Sequence, residues 1–415
     1  MLGGGKSDAG GAMHILMLPF LAFGHISPFA QLARKLVSVD GGFRVTFLTA
    51  DGNLPRVEAM LASAAGAVTV VPLHLLRVPG LPEGAASTAE LTADGAELLK
   101  VALDGTRAQV SSLLSELHPD AALIDFATPW VCDLAAPLGI KVLHFSVFSA
   151  VTGAYNVVPA RRLPGAAAPS ARDLMSAPAG FPTGSAVATP CVYDRVVAGI
   201  KACDGIVIKS CAEMEGPYIS YLSTQFGKPV LLAGPVVPEP PQGELEERWA
   251  DLLSSFPDNA VVFASFGSET NLQFLVVLNF PKGADTEAEL RARVPPGFRT
   301  SGRGVGCYLN HAGFSSAVEG LVAGCRLVFL PMKGDQYINA ALFGRELRVG
   351  VEVARRVEDS WFGRQDVRDA IALAVADGGE RDGRKWKEFL TDDDVQKRFA
   401  GDFAQQLREL VVRTA

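Results

Sequence analysis

Five apolar runs in this sequence end on a side chain that can do chemistry. His25 follows "HILMLPFLAFG", Asp125 follows "AALI", Ser268 follows "VVFASFG", His311 follows "VGCYLN", and Asp335 with Gln336 follow "RLVFLPMKG". An imidazole next to a carboxylate is a general base: the carboxylate fixes the tautomer and stabilises the charge that forms when the ring takes a proton. Gly24 permits a tight turn and Pro28 closes it, which places His25 on a loop at the start of a helix, "PFAQLARKL". A helix N-terminus disfavours the imidazolium and leaves a neutral ring. His25 then reads as the base and Asp125 as its orienting partner. Taken singly, each reads first as a satisfied structural histidine and an N-cap aspartate.

The stretch "NHAGFSSAVEGLVAGCRLVFLPMKGDQ", Asn310 to Gln336, has the same double character. Ser316 to Glu319, "SAVE", matches a capping box, in which Ser and Glu satisfy free amides at a helix start. The amides of that helix, approached closely at Gly313, also form an anion site suited to a diphosphate. His311 and Ser316 could donate to its oxygens and Glu319 accept from a ribose diol. Spacing alone leaves cap and ligand both open.

The elements that must carry these groups are strands apolar throughout their length: "HILMLPF", "RVTFLTA", "AALIDF", "KVLHFSVFS" and "GIVIKS", then "AVVFASF", "FLVVLNF", "VGCYLN" and "RLVFLP". Such runs, without alternation, mark strands covered on both faces, hence parallel sheets with helical crossovers. The expected class is α/β, doubly wound, twice over. Ligands gather at the carboxyl ends of such strands, so the five groups point to a cleft between two domains. The Pro-rich "GPVVPEPPQGELEE", Gly234 to Glu247, separates the two series. The boundaries read as a flexible Gly-rich tail over 1–12, a first domain over 13–236, a linker over 237–249, a second domain over 250–390 and a C-terminal helix over 391–415. Between "VVFASF" and "FLVVLNF" stand only Ser268 to Gln273, too few for a parallel crossover. Either those two strands are not a parallel pair, or a helix is missing.

Composition narrows the function. The chain has 415 residues, a net charge of −7 and a pI near 5.5, which lacks the electrostatic footprint of a nucleic-acid binder. The six scattered cysteines form no C-x-x-C pair and read as buried thiols of a cytoplasmic protein. No run is long enough for a transmembrane helix, and "MHILMLPFLAF" reads as the first core strand. The sole D-x-D, Asp392 to Asp394, follows no strand and reads as solvated surface, so no metal is expected. A dehydrogenase reading fails because no G-x-G-x-x-G follows the first strand, and "GGGKS" at Gly3 has no strand before it to make a P-loop.

Three motifs in order carry a resemblance that spans the chain from Met13 onward. "NHAGFSSAVEGLVAGCRLVFLPMKGDQ" resembles the second half of the signature of plant family 1 UDP-glycosyltransferases, "FLAFGHISPFAQLARKL" their G-H-x-x-P loop, and "LIDFATPWVCDLA" their catalytic-aspartate strand. "NHAGFSS", "GDQ" and "GVEVARRVEDSWFGRQDV" are most similar to the branch that decorates flavonoid glycosides. The resemblance implies a GT-B fold, two Rossmann-like domains facing across a cleft, and an inverting transfer without metal or other cofactor. His25 would deprotonate a hydroxyl of a small hydrophobic acceptor and Asp125 orient it. The UDP-sugar donor would be held by Ser268, His311, Gly313, Ser315, Ser316 and Glu319, with Asp335 and Gln336 on the sugar hydroxyls. A monomer without a transmembrane segment is expected, and the charge balance already argues against nucleic acid.

Phe314, Ala312 and Ser315 stand where the family has Trp, Cys and Asn. The family's W-x-x-Q segment, whose Trp stacks on uracil, should lie between "PPGF" and "VGCYLN", but "RTSGRG" joins them directly. The donor domain is therefore expected to be shortened. Two functions follow: a UDP-glycosyltransferase, with glucose the commonest sugar, or a catalytically silent relative that holds UDP-sugars poorly.

Overall fold

The computed structural model describes residues 12–39, 42–157, 192–237, 247–254, 261–265, 273–277, 305–332, 334–356, 361–376 and 380–412. Chain contacts divide them into two compact units. The first takes the residues up to 236 together with those from Gln396 onward; the second takes 237 to Val395.

The first unit alternates strands and helices: β1 (Met13–Leu18), α1 (Phe23–Val37), β2 (Phe43–Ala50), α2 (Leu54–Leu61), β3 (Val68–Leu73), α3 (Ala93–Asp104), α4 (Arg107–Leu117), β4 (Ala121–Ile124), α5 (Val131–Ala135), β5 (Lys141–Ser146), α6 (Ala150–Thr152), α7 (Val192–Ala202), β6 (Gly205–Ile208), α8 (Ala212–Phe226) and β7 (Val230–Leu232). The seven strands are all parallel in the order β3-β2-β1-β4-β5-β6-β7. The order reverses at β1 and β4, which pair directly, Leu18 opposite Ile124. A doubly wound sheet binds its ligand outside the carboxyl ends of the strands at such a reversal. Residues of β1, β4 and β5 are buried because helices cover both faces, which is why the runs lack alternation. Ile15, Met17, Phe29, Phe47, Leu123 and Phe145 form the core, and Phe403 and Leu407 from the last helix close it.

The second unit holds α9 (Glu247–Ser254), β8 (Val261–Ser265), β9 (Gln273–Val277), β10 (Val305–Asn310), α10 (Phe314–Ala323), β11 (Arg326–Phe329), α11 (Gln336–Ala341), β12 (Gly350–Glu352), α12 (Arg364–Ala376) and α13 (Glu380–Thr391). The last helix, α14 (Asp393–Val412), begins here and runs into the core of the first unit. The described strands follow the order β12-β11-β10-β8-β9. β8 and β9 are antiparallel, Ala264 opposite Phe274, so no helical crossover is needed between them. Of the two readings of the short Ser268–Gln273 connection, the non-parallel pair holds. Helix α9 starts at Glu247, inside the segment expected as linker; 238–246, the tail over 1–11, Ser268 and the segment of the absent W-x-x-Q motif lie outside the described residues.

Candidate active site

The strand reversal of the first unit carries the His–Asp pair. His25 is not on a loop as expected: α1 starts at Phe23 after an extended Ala22, so His25 is its third residue and Pro28 lies inside the helix. Pro28 is the sixth residue of the helix, beyond the first turn, and its missing N–H leaves the Gly24 carbonyl without its intrahelical donor. Asp125 directly follows β4 and is 2% exposed. One carboxylate oxygen, Oδ2, accepts from His25 Nδ1 at 2.7 Å and from the Phe20 amide at 3.0 Å; Oδ1 accepts from the Phe126 amide at 2.7 Å. Burial pushes this carboxyl up, but the neighbouring imidazole and the Phe20 and Phe126 amides outweigh it and hold Asp125 below its ordinary value. The ring of His25 is walled by Phe20, Phe126 and Phe148, with centroids at 5.6, 5.4 and 5.8 Å. Its side chain is 16% exposed. With Nδ1 held by Asp125, Nε2 has no hydrogen-bond partner among the described residues and is the nitrogen left to take a proton.

A cavity of about 690 Å³ opens at the carboxyl ends of β2 and β3, one and two strands from β1. Leu75, Leu76, Val78 and Pro79 give it apolar walls; Asp51 and Arg77 give it polar ones. Its loop is tied to the approach to His25 by the Thr88 amide, which donates to Leu21 O at 3.0 Å, and to α2 by Asn53, whose amide donates to Ala86 O at 2.6 Å.

In the second unit, β10 delivers His311. Asn310, fully buried, accepts from the Ala312 amide at 2.8 Å and donates to Tyr308 O at 3.3 Å, which bends the chain directly after the strand. Ala312 takes φ 61, a left-handed value rare outside glycine. A Cβ on Gly313 would stand 2.7 Å from His311 Nε2, so this glycine makes room for the ring.

The capping-box reading of "SAVE" is overturned. Gly313 is the N-cap of α10 and is extended, with ψ 135, so the helix begins at Phe314. Ser316 becomes the third helical residue and Glu319 lies a turn further in, exposed. No side chain caps the helix start. Ser315 and Ser316 lie in the first turn, and the phenol of Tyr308 is raised by burial, with Ser316 and Ser265 beside it pulling the other way. Sequence reading missed Tyr308; its position three residues before His311, on the face of β10 toward α10, is the signal that would have found it.

After β11, Asp335 is the N-cap of α11 and accepts from Asn339 Nδ2 at 3.0 Å. Gln336 is 4% exposed, and its carboxamide oxygen accepts from the Met332 amide at 2.8 Å, which shapes the turn that presents Asp335. Asp392 accepts from the Val395 amide at 2.9 Å and caps α14. Among the described residues no group of three or more His, Cys, Asp or Glu is placed to hold a metal. Burial lifts the thiols of Cys132, Cys211 and Cys307 to about 12, which leaves them protonated at neutral pH and unfit as nucleophiles.

No protein-family model matches the chain. An anthocyanidin-3-O-glucoside rhamnosyltransferase of Petunia hybrida is 43% identical, covering 95% of this chain and 96% of that protein. The chain belongs to the plant UDP-glycosyltransferases. UDP-glycosyltransferase 79A6 of Glycine max is 38% identical over 96% of this chain and 97% of its own length. Both alignments, at 457 and 462 positions, are longer than the 415 residues of this chain, so each relative carries residues that it lacks. Among solved structures, Arabidopsis thaliana UGT89C1 with quercetin matches with TM-score 0.67 at 23% identity, covering 97% of this chain and 99% of that one. Glycyrrhiza uralensis UGT73P12 with glycyrrhetinic acid 3-O-monoglucuronide matches with TM-score 0.70 at 18% identity, covering 97% of both chains. This UDP-glycosyltransferase thus has the GT-B fold of its family.

Proposed function

We propose that this UDP-glycosyltransferase moves a sugar from a UDP-sugar to a hydroxyl of an anthocyanidin or flavonoid 3-O-glycoside, with inversion. The observation that carries the reading is the His25–Asp125 pair at the strand reversal, with Nδ1 held at 2.7 Å and Nε2 left to work. In this reading His25 Nε2 takes the proton of the acceptor hydroxyl as the oxygen attacks the anomeric carbon, and Asp125 stabilises the imidazolium. Phe20, Phe126 and Phe148 keep water from the ring and offer faces to an aromatic acceptor. The cavity beside β2 and β3 holds the far end of the acceptor; its volume lies within the range of drug-sized ligand sites.

The donor is held by the start of α10. Its first amides, with His311, Ser315 and Ser316, receive the diphosphate and stabilise the charge of the leaving UDP. Gly313 lets the ring of His311 lie flat on the turn. Glu319 takes the ribose, Ser268 the phosphate or sugar side, and Asp335 with Gln336 the sugar hydroxyls. No metal or cofactor takes part. Relatives named as rhamnosyl-, xylosyl- and glucosyltransferases of anthocyanidin glycosides support the acceptor class and leave the sugar to experiment. No described helix is long and apolar enough to cross a membrane, and the reading includes a cytoplasmic monomer.

The test is calorimetric titration of UDP into the folded protein, followed by a screen of UDP-glucose, UDP-xylose and UDP-rhamnose against anthocyanidin 3-O-glucosides. Micromolar UDP binding, transfer with one of the donors, and loss of transfer but not of UDP binding in His25→Ala are expected. A folded protein that neither binds UDP nor transfers would reject the reading in favour of a silent relative.

A further inference from the structure

Beside the His25–Asp125 turn lies a half-buried ionic clasp that binds no substrate in the reading above. Arg195 on α7 is 4% exposed and grips Asp104, the last residue of α3, with both arms of its guanidinium: Nη1 to Oδ1 at 2.9 Å and Nη2 to Oδ2 at 2.6 Å. The same Nη1 donates to Ala127 O at 2.8 Å. The indole of Trp130 donates to Asp104 Oδ1 at 2.8 Å, and Arg107 lies over its ring at 5.2 Å. Thus α3, α7 and the two ends of the Ala127–Trp130 turn meet at one carboxylate.

That turn begins on the residue that matters. Ala127 is the neighbour of Phe126, whose amide holds Asp125 Oδ1 at 2.7 Å and whose ring packs on His25 at 5.4 Å. Thr128 donates back to Asp125 O at 3.3 Å. A buried ion pair contributes little net stability over apolar side chains of like volume, whereas its rigid fork fixes geometry.

We infer that Arg195 and Asp104 are positioning residues for the transfer, holding the Phe126–Ala127 backbone where it orients Asp125 and packs the wall of His25. The inference rests on His25 being the base. A displacement near 1 Å in such a support can slow chemistry on the order of 100-fold while substrates still bind.

The experiment uses Arg195→Lys, which keeps the charge and loses the fork, and Asp104→Asn, at a site one-third exposed and so tolerant of change. Val57→Ala, a cavity in the core under α2 that removes no contact of the clasp, is the stability control. Measured are kcat, KM for UDP-glucose and for the acceptor, Tm, and the downfield proton resonance of His25 Nδ1, assigned by its loss in His25→Ala. In both clasp variants kcat should fall about 10- to 100-fold with KM within about twofold, and the resonance should shift or broaden. Val57→Ala should lower Tm alone. Clasp variants that melt earlier yet keep kcat and the resonance would overturn the inference, and if Arg195→Lys does not fold, Asp104→Asn decides by the same readouts. Transfer surviving in His25→Ala would instead remove the base assignment, and the resonance would still report whether the clasp sets the pair's geometry.

Discussion

Replacing Asp125 by Asn should separate charge from shape at the proposed base. The side chain is 2% exposed and receives three donors, two on Oδ2 and one on Oδ1. Asn offers one oxygen and one NH2, so it cannot accept all three. With its oxygen at the Oδ2 position, the NH2 confronts the Phe126 amide and strands it. Turned over, the NH2 meets His25 Nδ1, which must then accept, so the proton moves to Nε2 and the base is in the wrong tautomer. In either pose the negative charge beside the forming imidazolium is gone. Two unit charges about 4 Å apart interact by about 4 kcal/mol at an effective dielectric of 20. That corresponds to about 10³-fold in rate.

The assay is single-turnover transfer with saturating donor and acceptor, alongside calorimetric UDP binding and thermal unfolding. The expected result is a rate loss near 10³-fold with UDP affinity unchanged. The stranded amide should also destabilise the fold by about 1 to 3 kcal/mol. A folded Asp125→Asn protein that transfers within tenfold of wild type would refute the argument, because neither the charge nor the tautomer would then be limiting.

Three further outcomes follow from the geometry. Gly313→Ala places a methyl 2.7 Å from His311 Nε2 at a backbone φ of −61 that alanine accepts, so the ring must swing away; UDP affinity should fall about tenfold or more with Tm little changed, by calorimetry and thermal melts. Glu319→Ala, at an exposed position inside the helix and past its first turn, should weaken UDP binding and leave stability within about 0.5 kcal/mol; an unfolding shift without an affinity change would restore the capping box. Burial lowers His144 from 6.5 to about 4, so the unfolded chain binds the extra proton between those values and stability falls as pH drops through that window, by up to about 3 kcal/mol. His144→Leu should flatten that slope in denaturant melts from pH 7 to 4.

What the sequence made legible was the interior of each sheet. β1, β2, β4, β5 and β6 are apolar without alternation because they are covered on both faces, and so are β8, β10 and β11. The strands that went unread, β3, β7 and β12, all lie at sheet edges. β3 is broken by Thr69 and Pro72, and β7 and β12 have only three residues each, too short to stand out as strands. The His25–Asp125 pair was legible because both residues follow strands that pair at the reversal. The start of α10 stayed open between cap and ligand because Ser-x-x-Glu is the local signature of a cap; the extended Gly313, which starts the helix earlier, removes the cap. Asp104 and Arg195 were invisible: they are 91 positions apart, and nothing in either local pattern marks a partner.

The antiparallel β8–β9 pair explains how the second unit can seat β9 beside β8 without a helical crossover and leave the proposed donor site in register. A parallel neighbour of β8 needs a crossover of a dozen or more residues; an antiparallel one needs only a turn. β9 therefore pairs the outer edge of β8 along Val261–Ser265 with a connection too short for a helix. The inner edge of β8 still pairs with β10, Ser265 opposite Asn310, and β10 still pairs with β11, Asn310 opposite Phe329. These registers fix where β8 and β10 end, hence where Ser265, Tyr308 and His311 meet the start of α10. Among the described strands the antiparallel pairing stands at the far edge of the sheet, while the turn proposed to bind the diphosphate hangs from its middle. In the proposed reading, diphosphate contacts are therefore physically separable from base contacts, because β8, β10 and β11 keep the diphosphate side in register.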